Sequence, residues 1–429
     1  MPSISKKLKS LGVKIGAENL TSQKKSPSSQ HKTSADLEKL LDGKELNTPY
    51  GDIFLVENIY EHPYKHGSEM LAGTVPLDGL ANWVGEERIN DLELDSFAFI
   101  DTETTGLSGG AGTYAFLIGV GRFINQDFHL TQLVMRDPIE EPAQLFTLEN
   151  LLAPCDAVVT FNGKSFDLPL LKTRYITHRW PVPFTDYPHF DLLHLARGLW
   201  RDRLASRTLG NLEVQIIGTA RTDDDIPGWA IPQLYFDYLD TGDASLLKGV
   251  IYHNAMDIIS LAALFNRMAR LLSNPFEEEI KHVADIIALG KLFERLGDHV
   301  KARRLYGYGL EHDEINADNF PESALLDGLT RLALIYKRDN NYPAAVPLWE
   351  QAARHNHLPS YVELAKYYEH KEKNYSTASD WTQAAIKALM ESSNRGLSGS
   401  ILKSRYMPEL EHRMARLQSR LVKYRDAPD

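Results

Sequence analysis

The arrangement of apolar and polar positions in the middle of the chain predicts a mixed α/β layer. Short apolar runs separated by glycine or polar residues indicate three consecutive strands, at residues 97–101, 114–123 and 128–135. A helical pattern at 142–152 and a continuously apolar run at 157–161 follow, which predict a helix and a buried strand. Three neighbouring strands and then strand–helix alternation favour a mixed sheet flanked by helices.

Three further helices are predicted downstream, at 168–175, 190–199 and 246–272. This order of elements is that of the ribonuclease H fold, and we assign residues 95–274 to one α/β domain of that type. Residues 36–94 hold a helix-like and a strand-like segment, and we interpret them as an N-terminal lead to this domain.

After residue 275 the pattern becomes purely helical. Three segments repeat a helix–turn–helix arrangement, and each places a small residue after the turn, namely Ala302, Ala345 and Ala378. These alanines lie 43 and then 33 residues apart, and a period of about 34 is that of tetratricopeptide repeats. We therefore predict that residues 275–429 form an all-α helical-repeat domain whose groove binds a protein partner.

Composition narrows the class of protein. The chain has 429 residues, of which 43% are hydrophobic and 24% charged, and this predicts a globular protein of more than one domain. A single cysteine, Cys155, excludes an intramolecular disulfide. No apolar run approaches the roughly 20 residues that span a bilayer, and no secretory signal is visible, so we expect a cytoplasmic protein without a membrane partner.

The net charge of −11 is unevenly distributed along the chain. Residues 1–35 carry seven lysines and one glutamate with few large apolar groups, and they are predicted to form a disordered basic tail. A local basic field matters more to phosphate binding than the total charge does. The total charge therefore neither excludes nor establishes a nucleic-acid substrate.

Candidate chemistry begins at the end of the first predicted strand. Asp101 and Glu103 are two positions apart, so both carboxylates lie on one face of a strand. Thr104 and Gly106 follow, and a glycine at this point lets the backbone come close to a substrate nucleotide.

Two later stretches supply further polar groups. In Asn162-Gly-Lys-Ser-Phe-Asp167 the final carboxylate stands after a loop and at the start of a predicted helix. His253 and Asp257 are four residues apart in the long helix and share one of its faces. Four carboxylates and one proton acceptor are the set that holds two divalent cations, Mg²⁺ or Mn²⁺, over a phosphodiester bond.

The three stretches resemble the motifs of a known enzyme superfamily. Phe99-Ile-Asp-Thr-Glu-Thr-Thr-Gly-Leu107 is similar to the first motif of the DEDD exonuclease superfamily, and the stretches ending at Asp167 and Asp257 are similar to its second and third. Segments 160–175, 189–194 and 223–227 resemble a bacterial branch, the YprB-like ribonuclease H-fold proteins, some of which carry tetratricopeptide-type repeats. The resemblance implies a two-metal 3′→5′ exonuclease on single-stranded nucleic acid, with four metal ligands: Asp101, Glu103, Asp167 and Asp257.

The proton acceptor departs from the superfamily's pattern. That acceptor is usually a tyrosine four residues before the last aspartate or a histidine five before it, whereas this chain has His253 at the first spacing and Tyr252 at the second. His253 shares the helix face of Asp257 and is our preferred base, with Tyr252 as the alternative.

Other polar residues are weaker candidates. Contacts to substrate are expected from Thr104, Gly106, Asn162, Lys164 and Arg174. Asp191 either supports the metal site or only starts a helix. An alternative function is a non-catalytic nucleic-acid-binding adaptor whose helical repeats recruit a protein partner. Metal ligation does not distinguish DNA from RNA.

Overall fold

The computed structural model describes residues 34–106, 112–222, 225–311, 321–393 and 397–425. The predicted basic tail at 1–35 lies outside these ranges apart from its last two residues. Within them, nine strands form one seven-stranded sheet and a two-stranded ribbon. The strands are β1 (Gly43–Thr48), β2 (Gly51–Tyr60), β3 (Tyr64–His66), β4 (Glu69–Leu71), β5 (Phe97–Thr104), β6 (Ala115–Ile124), β7 (Asp127–Val134), β8 (Ala157–Thr160) and β9 (His189–Asp191).

The large sheet has the strand order β1-β2-β7-β6-β5-β8-β9. β5, β6 and β7 are the predicted antiparallel meander, and β8 and β9 extend the sheet in parallel with β5. The predicted mixed sheet is confirmed. Because β5, β8 and β9 are parallel, their carboxyl ends meet at one edge of the sheet, where ligands commonly bind in α/β proteins.

Two features of the sheet differ from the sequence-based picture. The predicted N-terminal lead supplies the hairpin β1–β2, and β2 pairs antiparallel with β7, so the lead extends the same sheet. The helix predicted at 190–199 starts instead as β9, because Phe190 and Asp191 pair with β8. A strand of three residues is too short to show a period in the sequence.

The helices of the first part of the chain cover the sheet. They are α1 (Ser34–Leu41), α2 (Asp78–Val84), α3 (Glu141–Leu152), α4 (Asp167–Thr177), α5 (Leu192–Trp200), α6 (Leu209–Leu212), α7 (Ile231–Thr241) and α8 (Ser245–Ser273). A π-helical turn, Glu213–Ile217, continues α6. Alternate residues of β5 point to opposite faces: Phe97 and Phe99 pack with α8, including Phe265, whereas Ala98 and Ile100 pack towards α3 and α4.

The second part of the chain is entirely helical in its described residues. Its helices are α9 (Val283–Arg295), α10 (His299–Leu310), α11 (Glu322–Arg338), α12 (Tyr342–Arg354), α13 (Leu358–His370), α14 (Tyr375–Ser393) and α15 (Leu397–Arg425). Successive helices pack against each other, and the three small residues Ala302, Ala345 and Ala378 are fully buried between them. The predicted all-α region is confirmed, and its likeness to tetratricopeptide repeats stays a prediction.

The two parts share a hydrophobic core. Ile286 and Leu305 of the helical region belong to the same buried cluster as Phe97 of the sheet and Leu195 of α5. Helix α9 packs on α5 at this junction. In the described part of the chain, every helix is too short or too polar to cross a membrane.

Candidate metal centre and active-site cleft

The end of β5 presents the first two carboxylates. Asp101 and Glu103 are both half-buried, and the pairing of β5 with β6 shifts register directly after Glu103. Thr102 lies between them and turns towards the next motif, donating from its amide and its hydroxyl to Asp167 Oδ1 at 3.1 and 2.5 Å. The first and second predicted motifs are therefore in direct contact.

The loop after β8 delivers Asp167 to this place. Asn162 has a positive φ of 68°, a backbone conformation that asparagine tolerates better than most residues. A Cβ added at Gly163 would lie 2.5 Å from the side chain of Thr160, so this position requires glycine. Asp167 then begins α4 and is buried. The Asn-Gly pair thus serves the backbone geometry of the loop.

Asp191, at the end of β9, holds the same loop through hydrogen bonds to its backbone. Its fully buried carboxylate accepts from the amides of Asn162 (2.8 Å) and Lys164 (3.1 Å). It also accepts from the amide of Leu193 at 3.2 Å and so caps α5. The expected role at the start of a helix is therefore observed, and the same side chain also holds the loop that leads to Asp167.

Helix α8 brings the third motif against the first. Asn254 Nδ2 donates to Asp101 Oδ2 at 2.9 Å, and Asn254 Oδ1 accepts from Gln132 at 2.9 Å. A Cβ at Gly119 would lie 2.3 Å from Asn254, so glycine in β6 allows the helix to approach the sheet. The sequence reasoning missed Asn254; its signal is a polar residue between His253 and Asp257 on a helix otherwise rich in apolar residues.

His253 and Asp257 face the end of β5. One potential ligand atom from each of Glu103, His253 and Asp257 lies within 4.8 Å of the others. His253 Nε2 is 4.0 Å from Glu103 Oε1 and 3.6 Å from Asp257 Oδ2. The neighbouring Tyr252 turns away, since its hydroxyl accepts from Thr222 at 3.0 Å. Of the two alternatives for a base, only His253 contacts the carboxylates.

Arg221 is the principal feature that sequence reasoning missed. Its guanidinium donates to Asp257 and, at 2.6 Å, to Glu213, which is buried. It also lies 3.1 Å from His253 Nδ1. Asp225 Oδ1 is nearer to that nitrogen, at 2.7 Å, and because a carboxylate only accepts, this contact favours the tautomer with the proton on Nδ1. Nε2 is then the accepting nitrogen of His253.

Burial among like charges raises the pKa values of the carboxyl groups. Burial first, and then repulsion from Asp257, Asp167 and Glu103, raise the pKa of Asp101 well above its usual range. Burial and then Asp257 raise the pKa of Glu103 to about 8. Burial raises the pKa of Asp167 to about 6. Burial also raises the pKa of Asp257, although Arg221 opposes this.

These properties fit divalent cations. The donors are mainly carboxylate oxygens, which Mg²⁺ and Mn²⁺ prefer. Burial first, and then repulsion from the neighbouring carboxylates, raises the pKa values of Asp101 and Glu103, and the guanidinium of Arg221 contacts Asp257. Cations bound among Asp101, Glu103, Asp167 and Asp257 would remove this repulsion. The acidic cluster could therefore hold metal.

A cleft of about 430 Å³ opens beside the cluster. Asp101, Glu103 and Asp167 lie on its wall, and so do Thr104, Gly106 and Asn162, three of the residues expected to contact substrate. Lys164 is exposed on the adjoining loop. Phe166 also lines the cleft, and 55% of its surface is exposed.

Arg174 does not reach the cleft, and its expected contact with substrate is wrong. The side chain is 3% exposed, and its guanidinium donates to Glu141 at 2.5 and 2.7 Å. It also lies over the ring of Tyr114, with 4.3 Å to the ring centroid. Arg174 thus connects α4 to α3 through Glu141. The position of Arg174, seven residues after Asp167, does not by itself predict this partner.

Comparison with known proteins identifies the superfamily and the family of the chain. Residues 98–269, which contain all four carboxylates, match the RNase H superfamily. The fold and the acidic cluster thus define a protein of the RNase H superfamily. The "Uncharacterized protein YprB" of Bacillus subtilis (strain 168) is 34% identical over 327 residues, covering 75% of this chain and 74% of that protein. The chain belongs to the family of YprB-like proteins within the RNase H superfamily.

A solved structure with partial similarity is the family B DNA polymerase from the hyperthermophilic archaeon Pyrobaculum calidifontis. The match has a TM-score of 0.30 and 13% sequence identity. It covers 57% of this chain and 29% of the polymerase, so the chain spans less than a third of that protein's length.

Proposed function

We propose that this protein is a metal-dependent nuclease that removes nucleotides from the 3′ end of single-stranded nucleic acid. The observation that carries the proposal is the convergence of Asp101, Glu103, Asp167 and Asp257 at one sheet edge beside a cleft. Each carboxylate comes from one of the three motifs that resemble those of the DEDD exonucleases. The 3′→5′ polarity and the single-stranded substrate rest on that resemblance.

The four carboxylates have distinct places in the proposed centre. Asp101 interacts electrostatically with the other three acids and would contact both cations, while Glu103 and Asp257 would complete one site and Asp167 the other. Two bound cations, Mg²⁺ or Mn²⁺, supply the charge stabilisation that phosphodiester hydrolysis needs. Thr102 and Asn254 orient the carboxylates of Asp167 and Asp101 through the hydrogen bonds given above.

His253 is the proposed general base. Nδ1–H donates to Asp225, which fixes the ring, and Nε2 faces Glu103 and Asp257 as a proton acceptor. A water molecule that attacks phosphorus would pass its proton to Nε2 while the bond from phosphorus to the 3′ oxygen of the preceding nucleotide breaks. The pairing with Asp225 stabilises the imidazolium that forms.

The cleft is suited to a terminal nucleotide. Phe166 offers an exposed aromatic face, and stacking of a base on such a ring contributes about 1–3 kcal/mol. Thr104, Gly106 and Asn162 are proposed to contact the sugar and phosphate from the walls of the cleft. Lys164 would contact the phosphate from the neighbouring loop.

One observation favours a second candidate, a non-catalytic adaptor that binds nucleic acid while its helical region recruits a protein partner. The guanidinium of Arg221 already pairs with Asp257, a proposed metal ligand. A cation must compete with this pair for the same carboxylate. If Asp257 stays paired with Arg221 and does not bind a cation, the protein keeps its fold but does not hydrolyse nucleic acid.

Hydrolysis of end-labelled oligonucleotides separates the two candidates. Linear single-stranded RNA and DNA, with circular substrates beside them, are incubated with Mg²⁺ or Mn²⁺. Stepwise shortening of linear substrates only is expected, and Asp101→Asn should slow it by more than about a hundredfold. Asp240→Asn, an exposed aspartate on α7, is the matched control and should retain full activity. Absence of metal-dependent cleavage by the wild type on every substrate would refute the nuclease and favour the adaptor.

A further inference from the structure

A cluster of basic side chains lies at the junction between the sheet domain and the helical region. Its residues come from α5, from the segment after it and from the end of α9, and we call it the arginine patch: His194, Arg197, Arg201, Arg207 and Arg295. These residues and Gly198 line a shallow depression of about 510 Å³. The proposed nuclease chemistry does not use any of them.

The patch is a continuous row. His194 and Arg197 share one face of α5, and Arg201, which directly follows the helix with helical backbone angles, continues that face; at spacings of three and four residues the three extend over about 10 Å. Arg295 approaches from α9, because a Cβ added at Gly198 would lie 3.3 Å from its Nη2. Glycine at position 198 therefore leaves room for the arginine of the neighbouring helix.

The exposed arginines of this row have no acidic partner among the described residues, whereas His194 lies near Asp191. In the part of the chain that the structure describes, Arg197, Arg201 and Arg295 form no ion pair, and all three are exposed. The acids nearest in sequence have other partners: Asp202 pairs with Lys291 at 2.9 Å, and Glu294 pairs with Arg331 at 2.9 Å. Inward-facing arginines of the same region differ, since Arg203 pairs with Asp285.

The row begins beside the cleft. Asp191 Oδ2 accepts from the amide of Lys164 at 3.1 Å and lies 3.8 Å from His194 Nε2. Lys164 belongs to the loop that leads to Asp167. Basic residues therefore follow one another over the surface away from the cleft, first Lys164, then His194 and then the arginines.

We propose that the arginine patch binds the phosphate backbone of the single strand whose 3′ end enters the cleft. This inference rests on the proposed nuclease function and adds the path of the substrate to it. Successive phosphates along a strand match a row of cations on one helix face, and guanidinium groups bind phosphate oxygens through paired hydrogen bonds. A chain of net charge −11 repels a polyanion elsewhere, so the strand is held where local charge is positive.

The test compares oligonucleotide binding by two charge-matched double variants. One carries Arg197→Gln and Arg201→Gln in the patch; the control carries Arg338→Gln and Arg354→Gln, which are exposed in the helical region. Both are made with Asp101→Asn, which prevents hydrolysis during the measurement. Binding of a long fluorescein-labelled single strand is followed by anisotropy over a range of salt concentrations, and circular dichroism checks that each variant is folded.

The patch variant should bind more weakly and with a shallower salt dependence. Loss of two phosphate contacts reduces the slope of log K against log[salt] by about 1.4, which corresponds to roughly 25-fold weaker binding at about 0.1 M salt. The control variant should match the Asp101→Asn parent. Equal binding by patch variant and control would overturn the proposal. Displacement of the strand by polyglutamate as readily as by unlabelled oligonucleotide would also overturn it, in favour of an acidic protein partner.

A hydrolysis assay distinguishes strand binding by the arginine patch from nuclease activity in the cleft. With Asp101 intact, the patch variant should cleave a trinucleotide at the wild-type rate, since so short a substrate occupies the cleft alone, while a long strand at low concentration is cleaved more slowly. A wild-type protein that binds the long strand but cleaves neither substrate would refute the nuclease. The binding comparison would still decide whether the patch holds the strand.

Discussion

Replacement of Asp191 by alanine tests whether one buried carboxylate holds the active-site loop in place. The side chain is fully buried and accepts backbone hydrogen bonds from Asn162, Lys164 and Leu193. In Asp191→Ala all three amides lose their acceptor. The amides of Asn162 and Lys164 belong to the loop before Asp167, so the loop should shift as well as the helix cap.

The magnitude follows from the number of donors left without a partner. Loss of the cap on α5 costs about 1 kcal/mol. Each of the two loop amides is partly buried and loses a hydrogen bond to a charged group, which adds about 1.5 kcal/mol at the lower end of the usual range. A total of about 4 kcal/mol lowers the unfolding temperature by about 4–8 °C, because the unfolding entropy scales with the length of the chain that unfolds. Hydrolysis should fall by about 10–100-fold, since the loop orients a proposed metal ligand.

Asp298→Ala is the matched control for the cap. Asp298 caps α10 by accepting from the amide of Lys301 at 2.9 Å, and its side chain is 38% exposed. This variant should lose about 1 kcal/mol and keep its activity. Differential scanning calorimetry with a chelator present compares the two. The reasoning about the loop is refuted if Asp191→Ala lowers the unfolding temperature no more than Asp298→Ala does.

Three further predictions concern charged side chains, two in the site and one in the helices beside it. Arg221→Gln should bind Mn²⁺ more tightly than wild type in isothermal titration, because the guanidinium no longer competes for Asp257; weaker binding would contradict this competition. The pKa of Glu103 in the folded protein is about 8, above its ordinary value of 4.5. Between pH 4.5 and pH 8 the metal-free folded protein therefore binds one more proton than the unfolded chain, and its stability falls as the pH rises through this range. The rise in unfolding temperature on adding Mn²⁺ should therefore grow from about pH 6 to about pH 8, and a constant rise would argue against metal ligation by this carboxylate. Arg174→Met should destabilise the fold by about 3–5 kcal/mol, because it leaves the buried carboxylate of Glu141 with fewer partners. The variant should still cleave a trinucleotide at temperatures where it is folded. Loss of cleavage with unchanged stability would instead indicate that Arg174 contacts the substrate.

Much of the architecture could be predicted because helices and strands produce local periodic patterns of apolar and polar residues. Helix α8 was expected at 246–272 and spans Ser245–Ser273, since apolar residues recur with the helical period over its whole length. The three strands of the meander alternate or run apolar in the same way. The spacing of Asp101 and Glu103, and of His253 and Asp257, already places each pair on one face of its element.

The remaining parts of the site depend on how distant elements pack. Arg221 and Asp225 reach His253 from a segment about thirty residues earlier in the chain, and no period in the sequence connects them. Arg174 shows the converse, because a basic residue near a motif was drawn away by Glu141, which lies 33 residues before it. Local periodicity specifies which face of an element is buried, but the partner of a charge is chosen by tertiary packing. The sequence by itself therefore determined the elements and the four acidic candidates, while only the tertiary structure decided which cations and amides surround them.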